Sequence, residues 1–111
     1  MEDMKKILEE LDANLKGFAK DYPEQTNAFF DFMEKVEKDG ALDRKTKELV
    51  ALGIAVAKRC KYCIAFHVNN LLQLKATKDE IMEAGYVGVF MDGGPGMTYL
   101  QLVEKAIEDL K

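Results

Sequence analysis

The chain has 111 residues, 48% hydrophobic and 32% charged, the balance of a folded globular protein and not of a disordered one. With 20 acidic against 16 basic residues the net charge is −4, which argues against nucleic acid as a partner. No apolar run reaches the roughly 18 uncharged residues of a membrane span and no signal-peptide core opens the chain, so the expected setting is cytoplasmic and away from membranes.

At this length residues 1–111 are expected to form a single domain with one modest core. Met4, Ile7, Leu8, Leu11, Leu15 and Phe18 recur at helical spacing and predict an amphipathic helix ending near Lys20. Asp21-Tyr22-Pro23 breaks it, because proline disfavours helical geometry at the residue before it. Phe29, Phe30, Phe32, Met33 and Val36 form a second stripe, stopped by Asp39-Gly40. Aromatics at this spacing could line a substrate pocket, but a buried phenylalanine is most often structural, so the expectation is a core face. Asp43 fits the N-cap of a third helix, with Leu42 before it as a candidate staple. From Leu49 to Ala57 that helix is apolar nearly all round, which predicts burial.

Chemistry concentrates between Glu48 and His67. This stretch holds both cysteines and the only histidine of the chain. Cys60 and Cys63 form a CxxC pair, a spacing at which two sulfurs can close a small disulfide loop or share a metal. A fourth helix is predicted over Tyr62–Lys75, and on it Cys63 and His67 stand one turn apart on one face. The helix start and the neighbouring Lys58, Arg59 and Lys61 favour a thiolate. Glu48, at the edge of the apolar third helix, is costly unless paired, and His67 or a basic side chain is its candidate partner. A Glu–His–Cys line would let the carboxylate orient the imidazole and the imidazole take the thiol proton. The same residues, Cys60, Cys63, His67 and Glu48, also form a candidate four-ligand zinc set. A third reading makes the chain a helical oligomerisation module whose cysteines only sense redox state.

Thr77-x-x-Glu80 is a capping box and starts a fifth helix that carries Ala84, Gly85 and Gly88. Such small residues let another backbone approach, and each glycine needs packing to compensate its poor helix propensity. Asp92-Gly93-Gly94-Pro95-Gly96 reads as a helix–helix turn before a last helix from Thr98 to Leu110; it lacks the lysine and the strand of a phosphate loop. No segment alternates with period two. The fold class is all-α, with about six helices.

Glu48, eleven residues, Cys60-x-x-Cys63, three residues, His67 resembles the core of the alkylhydroperoxidase D-like group within the carboxymuconolactone decarboxylase family. Leu42-Asp-Arg-Lys-Thr-Lys-Glu48 and Phe90-Met-Asp-Gly-Gly-Pro95 are similar to it as well, and the likeness runs from about residue 20 to 110. The resemblance implies a helical bundle and a thiol-dependent peroxidase or disulfide oxidoreductase. Cys63 would be the thiol activated by His67 and Glu48, and Cys60 its disulfide partner. The peroxidase members carry a histidine directly before the second cysteine, where this chain has Tyr62; the departure bears on peroxide rate more than on thiol–disulfide chemistry. Decarboxylase members lack the CxxC, so their activity does not carry over. No cofactor is expected. The implied reductant is a thioredoxin-like protein or a dihydrolipoyl group, and the implied assembly is a homo-oligomer, a trimer or a hexamer. The many apolar helix faces of so short a chain point to association as well.

Overall fold

In the computed structural model, which describes residues 1–111, all regular structure is helical: α1 (Met4–Asp21), α2 (Pro23–Glu37), α3 (Arg44–Ala57), α4 (Lys61–Gln73), α5 (Lys78–Asp92) and α6 (Gly94–Leu110). The all-α expectation with six helices therefore holds. Helix starts follow the supply of acceptors for orphan backbone donors. The Asp3 carboxylate accepts from the Lys5 and Lys6 N–H groups and Asp43 accepts from Thr46. Thr77 and Glu80 complete both halves of the capping box at α5. Helix α2 opens on Pro23, which has no N–H to satisfy.

Two tight turns shape the bundle around its centre. At the end of α3 the Cys60 N–H bonds to Ala55 O at 3.1 Å and the Arg59 N–H to Val56 O at 3.0 Å. This is a Schellman motif with Arg59 at the left-handed position, φ +56°. The turn after α4 repeats the pattern, with Lys75 at φ +65° and the Ala76 N–H on Leu71 O. The α5–α6 junction is shorter than the sequence suggested. Only Gly93, at φ +81°, leaves the helix, and α6 begins at Gly94 instead of Thr98. Pro95 fits because the first turn of a helix has no use for its missing donor.

One cluster of 15 buried apolar residues forms the core, with Leu52, Ile64, Leu71, Ile81, Val68 and Val103 fully enclosed. Each such side chain contributes about 1.5–3 kcal/mol of burial. Helix α3 crosses α5 closely, α6 packs on α4 and α5, and α1 lies over α4 and α6. The N-terminus is tied down by the Met4 N–H, which donates to Asp109 Oδ2 at 2.9 Å.

Two expectations of burial are corrected. Helix α3 is not enclosed on every side: Val50 and Ile54 are half exposed, on the edge of an apolar groove shared with Val87 and Met91 of α5. Helix α2 contributes no buried residue at all, so its aromatic stripe is not a core face. The reason is position in the fold. Helix α2 packs mainly on α1 and the edge of α3, and its stripe overhangs a cavity in place of packed side chains.

Candidate active site

The turn between α3 and α4 builds the sulfur pair. Cys60 ends the Schellman motif and serves at once as N-cap of α4, where its Sγ accepts the Cys63 N–H at 3.2 Å. Cys60 and Cys63 are joined as a disulfide. Arg59 is held in its left-handed conformation by a two-point pair with Asp92, Nε to Oδ2 at 3.2 Å and Nη2 to Oδ1 at 3.0 Å. The hydrogen bonds and charge of Asp92 raise the Arg59 guanidinium above its ordinary value, and Glu2 does the same for the Lys61 ammonium. Both cations beside Cys60 are thus already paired with carboxylates. Their pull on a thiolate is weaker than the bare sequence suggests.

Glu48 sits at the inner edge of α3 with 2% of its side chain exposed. Its partner is His67, whose Nδ1 lies 2.7 Å from Glu48 Oε2. No basic side chain takes that place. With the carboxylate ionised and the imidazole neutral, this contact puts the proton on Nδ1 and leaves Nε2 the lone pair of a base. The second carboxylate oxygen, Oε1, accepts from Asn70 Nδ2 at 3.3 Å. Asn70 escaped the sequence reading. Its signal was its place three residues after His67, which puts an amide on the same face of α4.

Cys63, His67 and Glu48 line one cavity of about 400 Å³. Most of its other walls are apolar, among them Phe29, Phe30, Phe32 and Met33 of α2 with Leu11, Leu15 and Phe66, while Glu37 and Lys47 stand at one side. Helix α2 is hung over this space at both ends. Thr26 Oγ1 donates to Phe18 O at 3.1 Å, and Lys47 Nζ donates to Val36 O at 2.8 Å and to Lys38 O. Cys60 faces elsewhere, into a more polar groove with Glu2, Arg59, Lys61, Thr98 and Tyr99. Tyr62, between the cysteines, lines both spaces. The disulfide therefore stands between an apolar chamber and a charged groove. As for a zinc set, no three His, Cys, Asp or Glu side chains gather so as to hold a metal ion, and both oxygens of Glu48 are engaged by α4.

The family model for the carboxymuconolactone decarboxylase family matches residues 23–104, most of the chain. The chain belongs to that family. Among relatives of the carboxymuconolactone decarboxylase family protein described here, one of Cupriavidus necator is 33% identical over 97 residues, covering 87% of this chain and 86% of its own. A second, encoded in the cox locus of Paracoccus denitrificans, is 32% identical over 84 residues, 76% of each chain. Both are described as uncharacterised. Two solved structures share the fold. The apo form of a family protein from Legionella pneumophila superposes with a TM-score of 0.93 at 39% identity, covering 96% of both chains. A family protein from Thermotoga maritima, with a suggested involvement in antioxidative response, gives 0.83 at 29% identity, covering 93% of this chain and 88% of its own.

Proposed function

We propose that this protein is an alkylhydroperoxidase D-like thiol oxidoreductase that reduces organic hydroperoxides, or disulfides, at Cys63 and is recharged through Cys60. The observation that carries the reading is the shared chamber: Cys63 and the Glu48–His67 pair open into one apolar space while Cys60 opens into another. The antioxidative involvement suggested for the Thermotoga maritima neighbour supports the same direction.

In the reduced protein His67 Nε2 takes the Cys63 proton, with Glu48 stabilising the resulting imidazolium. The thiolate attacks the distal oxygen of the hydroperoxide; an S–O bond forms, the O–O bond breaks, and the departing alkoxide takes the proton from His67 and leaves as alcohol. Cys63 is then a sulfenic acid. The Cys60 thiol attacks its sulfur, the disulfide forms, and hydroxide leaves with the thiol proton as water. A dithiol reductant, thioredoxin-like or dihydrolipoyl, returns two electrons and two protons through a mixed disulfide on Cys60. Phenylalanine walls favour substrates with an apolar organic group, for which a chamber of this size has room.

Consumption of cumene hydroperoxide with a dithiol reductant tests this directly. Wild type is expected to turn over, Cys63→Ser to fall to the uncatalysed background, and Cys60→Ser to stop after one equivalent. Equal consumption by wild type and Cys63→Ser overturns the hydroperoxide reading, and equal reduction of a disulfide substrate by the two overturns the rest.

The same reading includes a cytoplasmic homo-oligomer, a trimer or a hexamer. The groove of Val50, Ile54, Val87 and Met91, with Phe90 84% exposed beside it, is the apolar surface such an assembly would cover. Sedimentation equilibrium at micromolar concentration is expected to give a multiple of 12.5 kDa. A folded monomer at that concentration removes this part of the proposal.

A further inference from the structure

Glu48 is gripped at two points by one helix. His67 and Asn70, three residues apart on α4, each hold one of its oxygens, at 2.7 Å and 3.3 Å. Asn70 does not line the chamber, so its amide serves the carboxylate and not a substrate. A buried carboxylate oxygen needs a hydrogen-bond donor, and leaving it without one is costly. At Oε1 that donor is Asn70. Water has little access to replace it, since Glu48 is 2% exposed.

We infer that Asn70 is a positioning residue: by holding Oε1 it keeps Oε2 of Glu48 turned toward His67 as an acceptor, which fixes the imidazole in the Nδ1–H tautomer with Nε2 as the base. Without that amide, Oε1 is buried with no donor, and the carboxylate is no longer held with Oε2 facing Nδ1. The imidazole then carries its hydrogen on Nε2, where it cannot accept a thiol proton. The effect on turnover rests on the function proposed above; the effect on the tautomer rests on the contacts alone.

His67 is the only histidine of the chain, so its imidazole ¹⁵N resonances report the tautomer without overlap. The measurement is made on the oxidised protein, where no thiol competes for the ring, at about pH 8, above the ordinary imidazole range. Wild type and Asn70→Gln, which keeps an amide donor, are expected to show Nδ1–H. Asn70→Leu is expected to convert at least half of the molecules to Nε2–H, and Asn70→Ala serves if the leucine variant does not fold. In a reduced Cys60→Ser background, alkylation of Cys63 at neutral pH falls about tenfold on loss of the amide, the usual scale for removing a group that orients a reactive one. An unmoved tautomer in the variants overturns the inference, including the case where only thermal stability drops. A shifted tautomer in a protein whose wild type turns over neither peroxide nor disulfide upholds the inference and sinks the proposed function. Wild-type turnover with an unmoved tautomer sinks the inference alone.

Discussion

Gly88→Ala is expected to destabilise the protein by at least about 3 kcal/mol and to lower Tm by about 10 °C or more. A Cβ at this position would lie 2.3 Å from Gly53 O and 3.0 Å from Val56 Cβ. The obstacle is the backbone of α3, which cannot rotate away as a side-chain tip would. Alanine gains about 1 kcal/mol of helix propensity over glycine, and a backbone overlap of this depth outweighs it. The opposite sign is expected at Gly17 in α1, where a new Cβ meets nothing within 4 Å. There the propensity term acts alone, and Gly17→Ala should stabilise by up to about 1 kcal/mol. Thermal denaturation of the two variants side by side checks both signs. Equal shifts in the two would mean that the α3–α5 crossing relaxes and does not constrain the fold.

His67→Asn is expected to slow peroxide turnover by about 10²- to 10⁴-fold, the range for loss of a positioned general base. The same change leaves Glu48 with a single protein donor, so a stability loss of about 1–3 kcal/mol accompanies it. The two effects separate by alkylation of Cys63 in the reduced Cys60→Ser background. At neutral pH the His67→Asn protein should react far more slowly than its parent. At about pH 10 an ordinary thiol ionises without a base, and the two rates should converge. A gap that persists at high pH would assign the loss to a distorted chamber and not to proton transfer.

Much of the site was legible in the sequence because its members lie within one short, locally ordered stretch. The i,i+4 spacing of Cys63 and His67 follows from helix geometry alone, and Glu48 stood out as a carboxylate on an apolar run that needed a partner. The choice of His67 over a basic side chain needed the packing of α3 on α4, which joins residues 19 apart in sequence. Asn70 was overlooked for a plain reason. An amide on a helix face is unremarkable until the charge it serves is known.

Periodicity misled where two structures share one pattern. The stripe from Phe29 to Val36 has the spacing of a core face, yet α2 buries none of it, and Phe29 and Phe32 stay more than half exposed beside the chamber. The pattern states only that one side is apolar, and a substrate cavity asks for the same side chains as a core. At Asp92–Gly96 the cluster of turn formers read as a loop of five residues, and the chain spends one. Gly93 alone supplies the left-handed conformation, while Pro95 and Gly96 fit within the first turn of α6.

The sequence by itself determined the elements whose causes are local: the caps at Asp43 and Thr77, the capping box, the break at Pro23, and the CxxC placed at a helix start one turn ahead of a histidine. Each depends on neighbours within a few residues, where backbone geometry leaves few choices. Only the tertiary structure decided what faces what. It set Glu48 against His67 and Asn70, opened Cys60 and Cys63 into different spaces, and made a roof of α2. Those relations depend on how closely helices approach, and here the approach is governed by glycines 35 residues apart, Gly53 and Gly88. Contact between distant backbones leaves no periodic trace in a chain, because it is a property of the packed pair and of neither segment alone.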